Sequence, residues 1–197
     1  MQEPFDAPEP RGFIFIVGAP KCATTTLHRW LMSHPDVSSF STTKEPRHFT
    51  DFGDRRWTGP GTQRLVSKLV TDRQAYLRGF RVGPDGGRGL DSSTDYLSCE
   101  VSPGMIAAFA ETTDVRVIAV LRDPIARAFS EYQHTRRDGM QTESFAGSLE
   151  LEPERIAAGT APLFHHVRRS RYHAPVHRYR EAFGDRFLLL DGHVLKN

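Results

Sequence analysis

Cysteine is scarce in this chain: only Cys22 and Cys99 occur among 197 residues. Two thiols so far apart give neither the density of a disulfide scaffold nor the paired spacing of a zinc site. Both are therefore expected to be free, as in a reducing compartment. No apolar run approaches the roughly 20 residues of a membrane helix, and the opening residues lack the hydrophobic core of a signal peptide. A soluble, cytoplasmic protein is the expectation, and an excised lumenal domain would have the same composition. A charge excess is missing too. The formal net charge of +2 comes from 26 basic and 24 acidic side chains, which argues against wholesale nucleic-acid binding and requires any anion site to be local. Internal repeats and low-complexity tracts are absent. A chain of this length that is 38% hydrophobic supports one α/β domain with a real core and no second one.

What is present is concentrated in residues 13–27, FIFIVGAPKCATTTL. Five apolar residues, 13–17, read as a strand buried on both faces, and a small-residue segment runs from them directly into an apolar-periodic helix. Such a turn leaves the first helix N–H groups unpaired and aimed at one spot, where the positive end of the helix dipole favours an anion. Lys21 adds a mobile full charge, and Thr24, Thr25 and Thr26 add hydroxyl donors. A phosphate or sulfate ester is the ligand such a loop suits. A loop that merely turns a strand into a helix is the plainer alternative.

The remaining elements repeat this unit. Residues 1–12, rich in Pro and acids, read as a flexible lead-in. A helix over 25–34 stops at Pro35, a short strand follows at 37–40, and Pro46 keeps the charged hexapeptide 44–49 in a loop. Residues 63–76 read as one amphipathic helix, the Gly-rich segment 79–89 as mobile, and 103–111 as a helix. A second buried strand, VRVIAVL at 115–121, ends at Arg122-Asp123-Pro124 and is followed by a helix over 125–137. Weak helical segments at 145–149 and 154–157, a helix over 169–183 kinked at Pro175, and a strand at 187–190 complete the chain. Loops that leave parallel strands at their carboxyl ends converge on one crevice.

The loop is not that of an ordinary nucleotide triphosphatase, which places Gly before its Lys and Ser or Thr after it. Here Pro20 precedes Lys21 and Cys22 follows. The order Gly-x-Pro-Lys-x-x-Thr-Thr resembles the 5'-phosphosulfate loop of sulfotransferases that use 3'-phosphoadenosine 5'-phosphosulfate (PAPS). The resemblance implies a P-loop-like three-layer sandwich with a central parallel sheet flanked by helices. It makes Gly18, Ala19, Pro20, Lys21, Cys22, Ala23, Thr24, Thr25 and Thr26 cofactor-binding residues. Arg122, Pro124, Arg127 and Ser130 follow the second strand in an order similar to the family's 3'-phosphate loop, so Arg122 and Ser130 are the expected contacts to that phosphate. A surface ion pair of Arg122 with Asp123 and a passive Ser130 is the alternative.

Lys44-Glu45-Pro46-x-x-Phe49 resembles the segment that carries the catalytic carboxylate in heparan-type carbohydrate sulfotransferases and their bacterial relatives. The resemblance makes Glu45 the base and Lys21 its catalytic partner at the leaving phosphate, with His48 and His134 as substitute bases. A solvated loop acid paired with Lys44 or Arg47 is the alternative for Glu45. Tyr132-Gln133-His134, Tyr172 and Phe187 to Gly192 continue the likeness, so residues 13–197 follow the family. Two features depart from it. A family lysine has no counterpart in Asp91-Ser92-Ser93-Thr94-Asp95-Tyr96, and the family's Gly-rich basic loop, which closes over the 3'-phosphate and adenine, has no counterpart before Asn197.

His173 and His177 have the spacing of a zinc pair, and His165 and His166 lie nearby. No Glu stands between the pair in the zinc-protease pattern, so solvated or core histidines are expected and no metal site. Arg168, Arg169 and Arg171 form a basic cluster that suits either an acidic ligand or a solvated helix face. The expected reaction is sulfuryl transfer from PAPS, leaving PAP, to a hydroxyl or amino group of a small molecule or carbohydrate, with no obligatory metal. A P-loop small-molecule or nucleotide kinase and a non-catalytic PAP- or PAPS-binding module are the competing readings.

Overall fold

The computed structural model describes residues 9–83 and 86–196. Its sheet has five strands, all parallel: β1 (Gly12–Gly18), β2 (Val37–Ser39), β3 (Arg88–Asp91), β4 (Asp114–Leu121) and β5 (Phe187–Asp191). Their order is β2-β3-β1-β4-β5, which puts β1 in the centre. The two runs that read as buried strands are the central strand and one of its two neighbours. Phe13, Phe15, Ile16 and Val17 of β1, and Val115, Val117, Ala119 and Val120 of β4, are buried. Helices flank the sheet, as the α/β reading requires. The strand β1 feeds α1 (Thr24–Met32), and β4 feeds α5 (Pro124–Arg137). Because β1 and β4 are parallel neighbours, both turns leave the same edge of the sheet.

An aromatic cluster of Phe13, Phe15, Phe49, Tyr76, Phe80 and Phe109 packs beside β1 at ring separations of about 5–6 Å. It explains an element that periodicity does not reveal. The strand β3 is four residues long and contains Gly89, where a Cβ would lie 2.6 Å from the Phe13 ring. Gly89 is the residue that admits this ring, and the Gly-rich composition disguises a central strand.

The single helix expected over 63–76 is two helices, α2 (Thr62–Val66) and α3 (Arg73–Arg78). The backbone between them bonds elsewhere: Val70 N–H donates to the carbonyl of Pro46, and the Val70 carbonyl pairs with His48 Nδ1. The carboxylate of Asp72 then caps α3 by accepting from Ala75 N–H. Much of the segment expected to be mobile is pinned instead. Gly79 accepts from Ser41 N–H, and Phe80 bridges to Phe40. Pro84 and Asp85 lie outside the described residues, as do residues 1–8 of the expected lead-in.

Helix α4 (Ser102–Phe109) packs against α8 (His173–Phe183), and α6 (Phe145–Glu150) and α7 (Glu152–Ala157) lie between α5 and α8 in sequence. Pro175 does not kink a long helix, because α8 starts only at His173 and Pro175 sits in its first turn, where no helical N–H is lost. The arginines ahead of it form a separate 3-10 turn, Arg168–Ser170. Among the described residues no helix is long and apolar enough to cross a membrane.

Candidate active site

The turn between β1 and α1 is built from alternating backbone handedness. Lys21 (φ 66°) and Ala23 (φ 65°) are both left-handed, with Cys22 between them. Alternation of this kind turns successive N–H groups toward one side and makes an anion-binding concavity. Among the described residues, the N–H groups of Lys21, Cys22, Ala23, Thr24 and Thr25 donate to no protein acceptor. No side chain caps α1 either, since its N-cap is Ala23. Five consecutive free donors at the positive end of a helix are what a phosphate requires. Partial burial lowers the Lys21 pKa, and the largest opposing effect is the field of Glu131. A bound dianion would restore that lost solvation.

Arg122, at the tip of β4, donates from Nη1 to the carbonyl of Lys21 at 3.0 Å. The β4 turn therefore touches the β1 turn directly. Gly18 makes the approach possible on the other side, because a Cβ there would meet Leu97 Cβ at 2.7 Å and the Thr94 carbonyl at 2.9 Å. Pro20, Lys21, Ala23, Thr24 and Thr25 line a cavity of about 550 Å³. Glu45 lines the same cavity, together with Arg47, Thr94, Asp95, Glu131 and Arg169. Arg122 and Ser130 are not on its wall. Ser130 is half-buried on α5, and Gly18, Ala19, Cys22 and Thr26 do not line the cavity either.

Glu45 pairs with both Lys44 and Arg47, as the plainer reading holds, but it is half-buried on the cavity wall and not freely solvated. Its Oε2 accepts from Arg47 Nη2, its Oε1 accepts from Thr94 Oγ1 at 3.3 Å, and Lys44 Nζ stands 3.5 Å from Oε1. Behind Glu45 the charges alternate in a continuous chain. Arg47 Nε bonds Asp95 at 2.6 Å, Asp95 bonds Arg169, Arg169 Nη1 bonds Glu131 at 2.7 Å, and Glu131 bonds Arg127 at 2.9 Å. Burial alone would raise the Asp95 pKa, but Arg169 and Arg47 overcome it and hold the carboxyl below its ordinary value. Glu131 is held low in the same way, by Arg169 and Arg127 against its own desolvation.

A sequence model of the sulfotransferase family matches residues 13–91. A crystal structure of a sulfotransferase from Alicyclobacillus acidocaldarius superposes with a TM-score of 0.86 at 33% identity, over 95% of this chain and 74% of that one. The chain belongs to the sulfotransferase family. No curated protein matches it.

The histidines of this chain part company. His134 lines the cavity and pairs with Asp138 at 3.2 Å. His48 lies off the cavity wall, stacked on Tyr76 at 4.4 Å and bonded to the Val70 carbonyl, and burial lowers its pKa. That position does not suit a substitute base. His166 is fully buried against Glu131, and His177 pairs with Glu181 at the surface. Among the described residues no group of three or more His, Cys, Asp or Glu side chains is placed to hold a metal ion.

The arginine cluster also divides. Arg168 is partnered with Glu100 near the surface, whereas Arg169 is buried between Asp95 and Glu131 and is no part of a solvated face. Arg127, which the motif places beside Arg122, is fully buried and bonds Ser170, Glu131 and the His166 carbonyl. It braces the fold under the site. Glu131 gives no signal in the sequence, because a Glu inside a helix ordinarily faces water. Its i, i+4 spacing from Arg127 is the one available hint. Both cysteines are buried and free, and burial raises the Cys22 thiol pKa.

Proposed function

We propose that this sulfotransferase moves a sulfuryl group from PAPS to a hydroxyl or amino group of a small-molecule or carbohydrate acceptor. The observation that carries the reading is that one cavity is lined both by a phosphate-type loop with its lysine and by a partnered carboxylate, Glu45. In this reading the free amides of residues 21–25 and the ammonium of Lys21 hold the 5'-phosphate and neutralise charge on the oxygen that leaves sulfur. Arg122 holds the Lys21 carbonyl and, with Ser130, contacts the 3'-phosphate. Thr24, Thr25 and Thr26 supply hydroxyl donors.

Glu45 takes the proton of the acceptor as sulfur is attacked. Its Oε2 is committed to Arg47, so Oε1, with the longer 3.3 Å contact to Thr94, is the oxygen available to the acceptor. Lys44, close to Oε1, brings a second ammonium to the cavity, on a different element from the lysine that the family pattern leads one to expect. The rest is positioning: a loose in-line transfer needs donor and acceptor aligned more than it needs covalent help.

The test is a thermal-shift comparison of PAP, PAPS and ATP with magnesium, followed by transfer of label from radiolabelled PAPS to an array of acceptors. PAP and PAPS are expected to stabilise the wild type. Glu45→Gln is expected to keep that stabilisation while losing transfer by about 10²-fold or more. Stabilisation by ATP with magnesium and indifference to PAP would overturn the donor assignment in favour of a kinase.

A further inference from the structure

Asp91, the last residue of β3, is a fully buried carboxylate in the middle of the domain. An unpaired acid there is costly, and among the described residues this one has no salt-bridge partner. It accepts four hydrogen bonds instead: from Ser93 N–H at 2.9 Å, Ser93 Oγ at 2.6 Å, Tyr76 Oη at 3.0 Å and Tyr96 Oη at 2.8 Å. Two of these donors pass the bond on. Ser93 Oγ, having donated to Asp91, accepts from Arg47 N–H at 2.9 Å. Tyr96 Oη, having donated likewise, accepts from Phe49 N–H at 3.3 Å. The polarity of both relays is fixed by the carboxylate, which can only accept.

The segment they hold is unusual. Arg47 is a non-glycine residue at φ 54°, a left-handed conformation that its surroundings must maintain. In that conformation its guanidinium reaches Glu45 Oε2, the Glu45 carbonyl and Asp95. The turn after Asp91 also carries Thr94, whose hydroxyl meets Glu45 Oε1. We propose that Asp91 is a positioning residue for sulfuryl transfer: from the core it holds both flanks of the Arg47 turn and so fixes the carboxylate of Glu45 toward the acceptor. The proposal rests on the assignment of Glu45 as base.

Three variants test it. Asp91→Asn puts a donor where four donors converge, Ser93→Ala cuts only the relay to Arg47, and Tyr76→Phe removes an Asp91 hydrogen bond that leads to no active-site amide. Asp91→Asn and Ser93→Ala are expected to lower kcat by about tenfold or more, with the thermal shift by PAP unchanged. Tyr76→Phe is expected to lower Tm and leave kcat within about twofold. The carboxyl ¹³C resonance of Glu45, assigned by its loss in Glu45→Gln, should move in Asp91→Asn and Ser93→Ala and stay in Tyr76→Phe. Loss of kcat in simple proportion to loss of Tm across all three, or an unmoved Glu45 resonance, would overturn the proposal. The resonance reads Glu45 without turnover, so an inactive wild type would refute the assigned reaction and leave this arm to decide the positioning.

Discussion

Arg122 donates from Nη1 to the carbonyl oxygen of Lys21 across 3.0 Å, so the turn after β4 holds the turn after β1. A guanidinium in that place orients the loop and remains free to present its other N–H groups to an anion. Arg122→Ala is expected to weaken PAP binding by about tenfold or more, reflecting the loss of a charge-assisted contact. The 3'-phosphate makes the result specific: wild type should prefer PAP to AMP, and the variant should lose most of that preference. Isothermal titration with both nucleotides reads the difference.

Gly18 is placed where no side chain fits. Its Cβ would fall 2.7 Å from Leu97 Cβ and 2.9 Å from the Thr94 carbonyl, neither of which is the end of a flexible chain. Gly18→Ala is therefore expected to cost about 1–3 kcal/mol of stability and to push the phosphate loop away from the Thr94 turn. Chemical denaturation should show the first effect, and reduced stabilisation by PAP the second.

Arg169 joins Asp95 to Glu131 inside the protein. Replacing it by Met keeps the bulk and takes one cation from each of two buried carboxylates, leaving Asp95 to Arg47 and Glu131 to Arg127, a change worth about 3 kcal/mol in urea denaturation. The sign with pH follows from the depressed folded-state pKa values of these acids. Their contribution is present above the unfolded carboxyl range and lost as pH falls through the folded values. Arg169→Met should flatten that acid limb.

Asp91 works in the opposite direction. Burial raises its pKa to about 6, against hydrogen bonds from Ser93, Tyr96 and Tyr76 that favour the anion. A folded value above an unfolded one of about 3.9 means the native state binds more protons in between, so stability falls as pH rises from about 4 to 6, by roughly 3 kcal/mol. Asp91→Asn should remove that slope, as measured by urea denaturation across this window. An acid that lowers stability at neutral pH yet holds the Arg47 turn is consistent with a role in turnover.

Much of the candidate site is legible because it is local. Gly18, Lys21 and the threonines share one turn, and a buried strand running into a helix defines where its free amides point. Glu45 could be named as a candidate, but its partners could not be chosen, since Arg47, Lys44 and solvent are equally near in sequence. The four-residue β3 and the break between α2 and α3 were illegible for one reason. Each is decided by a contact from elsewhere, the Phe13 ring over Gly89 and the Pro46 carbonyl on Val70 N–H.

The order of residues by itself determined four of the five strands, the candidate phosphate loop and the family likeness, because periodicity and turn chemistry act over a few neighbours. Only the tertiary structure decided that Arg169 is buried and Arg168 is not, that His48 is packed away from the cavity, and that Glu131 and Asp95 complete a charge chain behind Glu45. The physical reason is that burial of a charge is set by partners far away in sequence. Arg169 meets acids on the turn after β3 and on α5, and no local pattern encodes that meeting.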